Sequence, residues 1–163
     1  MLIELLYPDA VAPKRATEGS AGYDLTAYLK GRTIQFSDGT RTWEGAPEAT
    51  DNGSVALVLK QYEMALVPLG FKCRLPEGIE GQIRPRSGTS FKKGLQIPNA
   101  PGTVDSDYPG EWMVPVRNLS PSRIRIDHGE RIAQLVMARY EVVPMTFGQV
   151  GVTTSRTGGF GST

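Results

Sequence analysis

Pro98-Asn99-Ala100-Pro101-Gly102-Thr103-Val104-Asp105-Ser106-Asp107-Tyr108-Pro109-Gly110-Glu111-Trp112 is the stretch on which the reading of this chain turns. Three prolines, two glycines and an asparagine make it dense in turn formers, yet β-branched Thr103 and Val104 sit in its middle. Turn residues on both sides of a short extended core predict a tight β-hairpin. A hairpin is a rigid support from which a carboxylate, Asp105, and a ring, Tyr108, can be aimed at a small molecule. Taken alone, the stretch equally fits an ordinary surface loop with solvated acids.

The sequence on either side is β-rich. Upstream, Ile79–Arg84 alternates apolar and polar residues, and Phe71–Leu75, Glu63–Pro68 and Val55–Leu59 are short apolar runs bounded by turn formers. Downstream, Trp112–Arg117, Arg123–Ile126, Ile132–Tyr140 and Val142–Met145 have the same character. Leu2–Tyr7 is a first strand stopped by Pro8-Asp9, and Pro13–Ser20 is polar and loop-like. Thr33–Phe36 and Arg41–Trp43 flank Asp38-Gly39, a hairpin signal. Residues Ser37–Ser54 are read as a surface excursion. A helical turn is expected only from Arg86 through Lys93, stopped by Gly94. About twelve short strands and one short helix predict an all-β barrel or jelly roll. One domain is expected over residues 1–147, followed by a flexible arm from Gly148 to Thr163, where Val150, Val152 and Phe160 are the only core formers.

Composition bounds the function. Lys and Arg number 18 against 17 Asp and Glu in 163 residues, which leaves no electrostatic footprint for nucleic acid or an anionic membrane. Recognition of phosphate would therefore be local. The single cysteine, Cys73, excludes an internal disulfide and fits a reducing, cytoplasmic setting; between Phe71 and Leu75 it is expected in the core. Met1–Leu6 contains Glu4 and is no secretory signal, and no apolar run reaches membrane-spanning length. The lone His128, in a turn, gives no histidine-based metal site and is expected at the surface.

Several segments can carry chemistry. Arg156-Thr157-Gly158-Gly159-Phe160-Gly161-Ser162-Thr163 offers flexible backbone N–H groups and a guanidinium for an anion, with a ring for a nucleobase face. It lacks the lysine of a Walker A loop, and its composition also fits a plain Gly-rich tail. Arg84-Pro85-Arg86-Ser87-Gly88 can form an anion-binding turn, or only a solvated one. Gln134, near the start of a core strand, can donate to a phosphate oxygen or satisfy the strand's own backbone. Asp24, in Ala21-Gly22-Tyr23-Asp24-Leu25, can hold a divalent cation directly or through water, or cap a turn.

In this order, the five segments closely resemble the five motifs of the trimeric dUTP pyrophosphatases, or dUTPases: Ala21–Leu25, Pro85–Gly88, Asn99–Gly110, Arg131–Leu135 and Gly158–Thr163. That resemblance implies a distorted jelly-roll barrel, a homotrimer with its C-terminal arm exchanged between subunits, and Mg²⁺-dependent cleavage of dUTP to dUMP and pyrophosphate. It implies that Asp105 activates the attacking water and that Tyr108 packs on deoxyribose. Asn99 and the main chain at Gly102, Thr103, Val104 and Met113 would hold the uracil and sugar. Arg86, Ser87, Gly88 and Gln134 would contact phosphates, and Asp24 would reach Mg²⁺ through water. Phe160 would cover the uracil, while Arg156, Gly161 and Ser162 would clamp the triphosphate. The activity would limit uracil in DNA and supply dUMP, in the cytoplasm or, for a phage-encoded chain, the host cytoplasm.

The chain departs from that pattern in three places. Arg156 stands one residue closer to Gly158-Gly159-Phe160 than is usual, the chain stops at Thr163, and Ser37–Ser54 looks inserted. The insertion keeps open a nucleotide-gated regulatory protein that binds a partner through Trp43. A dCTP deaminase, the nearest enzymatic rival, would carry a glutamate where Pro115 stands between Val114 and Val116.

Overall fold

The computed structural model describes residues 1–151 and 153–155. The apolar runs form strands: β1 (Leu2–Leu5), β2 (Lys14–Arg15), β3 (Tyr23–Thr26), β4 (Ile34–Ser37), β5 (Thr42–Gly45), β6 (Glu48–Ala49) and β7 (Val55–Leu59). They continue with β8 (Met64–Arg74), β9 (Ile79–Pro85), β10 (Leu95–Gln96), β11 (Gly102–Val104), β12 (Glu111–Asn118), β13 (Ile124–Asp127) and β14 (Arg131–Arg139). One helix, α1 (Ser87–Lys93), ends at Gly94, whose φ of 66° supplies the left-handed cap that the sequence predicted.

All strand pairs are antiparallel and fall into three sheets. One runs β10-β12-β8-β4-β5, with β1 added on β8; a second runs β11-β9-β14-β3-β2; a third runs β13-β7-β6. Their inner faces enclose one core built on Trp112, Phe71, Leu25, Leu29, Ile34, Leu57, Ile126, Ile132 and Leu135. Alternation does the sorting: in β12, Trp112, Val114 and Val116 point inward, while the residues between them do not. Cys73 is buried as expected, and burial pushes its thiol pKa up. This architecture is the jelly roll that the strand pattern predicted.

Three expectations are corrected. Glu63–Pro68 and Phe71–Leu75 are not separate strands but parts of the single strand β8. Gly70 bends it at φ 75°, where a Cβ would come within 2.9 Å of the Tyr28 ring, and β8 there exchanges β4 for β1 as a neighbour. Val142–Met145 forms no strand, because nothing among the described residues pairs with it and Pro144 has no N–H to give; Val142, Val143 and Met145 stand exposed. His128 is not a surface residue. Its side chain is 13% exposed, its Nδ1 accepts the Leu29 N–H at 3.1 Å, and its ring meets Tyr28 edge-on.

The excursion at 37–54 is also more integrated than a surface loop. Ser37 pairs with Met64, Trp43 stacks on Phe36 at 5.7 Å, and Glu48 and Ala49 pair with β7.

Candidate active site

The decisive stretch is not a hairpin. Gly102, Thr103 and Val104 pair with Ile83, Gln82 and Gly81 of β9, whereas Glu111 onward pairs with β8 in the other sheet. Residues 105–110 therefore cross between two sheets, a turn closed by the Tyr108 N–H donating to the Asp105 carbonyl at 3.3 Å. The physical reason is register: Thr103 and Val104 find a free edge on β9, and Trp112 must face the core on β12. The crossing is fixed at both ends, so it remains a rigid support for Asp105 and Tyr108.

A pocket of about 240 Å³ opens at this crossing, lined by Leu66, Thr103, Val104, Asp105, Tyr108, Trp112 and Met113. It is apolar except for one carboxylate and the backbone of an edge strand, a surface suited to a ring with a few polar edges. The asparagine side chain is packed against the start of β11, since a Cβ at Gly102 would lie 3.0 Å from Asn99 Nδ2. Gly110 lies under Tyr108, and a Cβ there would reach the phenol oxygen at 2.5 Å. Tyr108 is 46% exposed and lines the pocket.

A second pocket, of about 580 Å³, is polar and lined by Ser20, Ala21, Gly22, Asp24, Arg84, Arg86, Ser87, Gly88 and Gln134, among others. Strand pairing builds it: Asp24 lies opposite Gln134, and Gln134 opposite Arg84. Arg86 Nε donates to Asp24 Oδ1 at 2.8 Å, and Arg131 donates from the other side to Oδ2 at 3.0 Å. Two arginines, Arg86 and Arg131, thus flank one carboxylate, while Arg84, which donates to Gln82 Oε1, adds a third cation to the lining, so the excess is positive. Ser87 and Gly88 begin α1, where first-turn N–H groups have no partner within the helix. Gln134 donates to the Pro85 carbonyl at 2.9 Å, which leaves its second N–H available. Gly22 makes room for it, because a Cβ there would sit 2.3 Å from Gln134 Oε1. The arrangement suits a polyphosphate.

The two pockets share no lining residue. The second pocket draws Arg84 from β9, Gln134 from β14 and Asp24 from β3, whereas the first draws Thr103 and Val104 from β11 at the edge of the same sheet. The sequence-predicted residues thus form two groups, Asn99 to Met113 at one and Asp24, Arg86, Ser87, Gly88 and Gln134 at the other. Arg156, Phe160, Gly161 and Ser162 lie outside the described residues. Sequence reading missed Leu66 and Trp112, which reach the first pocket only because β8 and β12 pair, and it gave no role to Gly22.

For a metal, the described residues hold no cluster of three or more His, Cys, Asp or Glu. Asp24 alone faces the phosphate-type pocket; its oxygens each accept one N–H and retain lone pairs for water. One carboxylate fits a Mg²⁺ delivered with a polyphosphate and held through water, not a caged resident ion.

A jelly roll with one apolar ring-sized pocket and one cationic pocket defines a nucleotide-binding protein. Residues 54–163 match the dUTPase family. The deoxyuridine 5'-triphosphate nucleotidohydrolase of Neorickettsia sennetsu is 38% identical over 156 residues, covering 95% of this chain and 89% of its own. That of Aquifex aeolicus is 51% identical over 130 residues, covering 80% and 71%. Among solved structures, Streptococcus mutans dUTPase aligns with a TM-score of 0.65 at 24% identity over 88% of this chain and 98% of its own. A Staphylococcus bacteriophage 80alpha dUTPase solved with dUPNHPP aligns at 0.75 and 23% over 99% and 96%. The chain belongs to the dUTPase family, and it is an enzyme of that class, a dUTP diphosphatase.

Among the described residues no helix is long and apolar enough to cross a membrane.

Proposed function

We propose that this dUTP diphosphatase hydrolyses dUTP by water activated at Asp105, with the nucleoside in the pocket at the crossing and the triphosphate in the Asp24–Arg86 pocket. The observation that carries the reading is the division of the motif residues into an apolar pocket around Asp105 and Tyr108 and a cationic one around Arg86.

Uracil and sugar lie over Val104 and Met113. The backbone of Gly102–Val104 and the amide of Asn99 read the pyrimidine edge. Tyr108 packs on the deoxyribose and leaves no room for a 2′-hydroxyl. Arg86, Ser87, Gly88 and Gln134 hold phosphate oxygens. Asp105 accepts a proton from water as its oxygen attacks the α-phosphorus in line; the bond to the bridging oxygen breaks and pyrophosphate leaves. A positioned base of this kind contributes about 10²–10⁴-fold, and the arginines oppose the charge that builds on the phosphates. Mg²⁺, when bound, would neutralise phosphate charge as a Lewis acid, with Asp24 holding its water. Phe160 covers the base, and Arg156, Gly161 and Ser162 close over the phosphates, which excludes bulk water and completes the site only when substrate is bound.

The absence of any shared lining residue between the two pockets supports a homotrimer in which one subunit's nucleoside pocket faces another's phosphate pocket. Exposed Val142, Val143, Met145, Phe147 and Val150 support an arm that is covered by a neighbouring subunit. The test is a panel of dNTPs with Mg²⁺: pyrophosphate and dUMP should form from dUTP alone. Equal turnover of dCTP or dTTP would overturn the reading.

A further inference from the structure

Glu111 closes the crossing, and its carboxylate is held by a residue outside every motif. Arg32 grips it with both guanidinium nitrogens, NH1 to Oε1 at 2.9 Å and NH2 to Oε2 at 2.6 Å. The pair is nearly buried, with side chains 15% and 11% exposed, and Arg32 lies on the loop between β3 and β4, 79 residues from Glu111 in sequence. Oε1 also accepts the Gly70 N–H at 3.0 Å, so the same carboxylate is bonded to the bend of β8. Glu111 pairs with Lys72 at the end of the ladder, the register slips between Glu111 and Met113 against β8, and this bonding ties the carboxylate across that irregularity. Arg32 is itself held: it donates to Tyr7 Oη at 2.9 Å and lies over the Tyr7 ring, which stacks on Tyr28 at 4.4 Å. Glu111 in turn raises the pKa of Arg32, chiefly through these hydrogen bonds.

Tyr108 rests on this anchored backbone. Its ring lies against Gly110, and its phenol donates to the Glu111 carbonyl at 3.4 Å. Gly110 contributes no side chain to hold the segment, so the ring's height and tilt follow the position of Glu111. Arg32 also lines a hollow of about 320 Å³ that shares Leu66 and Met113 with the nucleoside pocket.

We infer that Arg32 is a positioning residue for sugar discrimination: through its bidentate grip on Glu111 it holds the Tyr108 ring at the height that admits deoxyribose and rejects ribose. The inference rests on the role of Tyr108 given above. A bidentate fork fixes both distance and plane, which a lysine does not reproduce, and a misplacement of an ångström suffices to change selectivity.

The test is kcat/KM for dUTP and for UTP in wild type, Arg32→Met, Arg32→Lys, Glu111→Gln and Tyr108→Ala, each with its melting temperature. Arg32→Met should lower the dUTP-to-UTP preference at least about tenfold, by losing rate on dUTP while gaining relative rate on UTP. Arg32→Lys and Glu111→Gln should fall between it and wild type, and serve if Arg32→Met does not fold. A pair that only stabilises the fold would lower the melting temperature and leave the preference unchanged; that result would overturn the inference. If Tyr108→Ala keeps the wild-type preference, the role of Tyr108 itself fails. If Tyr108→Ala loses it while the folded Arg32 and Glu111 variants keep it, only the inference fails.

Discussion

Asp24 and Arg86, 62 residues apart in sequence, are joined by a 2.8 Å bond between guanidinium Nε and carboxylate Oδ1. Using Nε leaves the terminal nitrogens of Arg86 free of Asp24. NH1 lies 3.5 Å from the Arg131 carbonyl. The carboxylate thus steadies the guanidinium without consuming all of its donors.

Asp24→Asn should therefore weaken both fold and catalysis. The side chains are 14% and 25% exposed, between a buried and a surface pair. The expected loss on urea unfolding is about 1–2 kcal/mol. Freed from its partner, Arg86 should lose its aim, and kcat/KM for dUTP should fall about ten- to a hundredfold. An unchanged kcat/KM would remove Asp24 from the phosphate site.

Asp105→Asn keeps the shape of the nucleoside pocket but cannot take a proton from water. Turnover should fall about 10²–10⁴-fold, while calorimetric affinity for a non-hydrolysable dUTP analogue stays close to wild type. Retention of more than a few per cent of the rate would assign the base elsewhere.

If each site joins Asp105 of one subunit to Arg86 of another, two dead variants should rescue each other. Asp105→Asn and Arg86→Ala proteins, mixed in equal amounts and reassembled, give mixed trimers in which about a quarter of the sites carry both native residues. Activity should recover to about that fraction of wild type. No recovery would show that one chain supplies both residues, and light scattering on the unmixed protein should give three chains per particle.

Much of this was legible beforehand because local chemistry decided it. Alternation in Arg123–Ile126 predicted a half-buried strand, and Gly94 predicted the end of α1. The motif order pointed to the dUTPase family that the comparisons show. The hairpin was misread because turn formers around Thr103-Val104 mark a reversal but do not say which strand each arm joins; only the free edge of β9 and the inward face of Trp112 decide that. Pro68-Leu69-Gly70 looked like a break for a similar reason. A bend in a strand and a gap between strands share one sequence signal, and the distinction lies in distant partners, Glu111 for the Gly70 N–H and Leu6 for its carbonyl. Arg32 gave no signal at all, because a charged residue in a polar loop announces nothing about the carboxylate it meets.

His128 predicts an acid weakness of the fold. Burial and the Lys30 charge lower its pKa below the ordinary 6.5, and Asp9, 3.8 Å from Nε2, only partly opposes them. The folded protein therefore keeps the ring neutral, and protonation would take the lone pair that accepts the Leu29 N–H. A depressed pKa contributes stability that is present above pH 6.5 and is lost as pH falls below it, by at most about 1.4 kcal/mol per pH unit. Denaturant unfolding at pH 7.5 and 5.5 should show a larger acid loss for wild type than for His128→Gln. Equal losses would place the sensitivity elsewhere, on Asp9 or other carboxylates.

Truncation after Ser155 should separate activity from folding. The removed residues include Arg156 and the Gly158–Thr163 motif, proposed to close over substrate, whereas the core is complete by β14. Upstream of the cut, Phe147 and Val150 are 101% and 96% exposed. The melting temperature should hence stay within a few degrees, while kcat/KM for dUTP falls at least about a hundredfold because the phosphates remain open to water. Asp105 and Arg86 would be intact, so the loss should appear on dUTP and leave trimer mass unchanged. A large fall in melting temperature would instead assign the arm to the fold, and full activity would remove the last motif from the site.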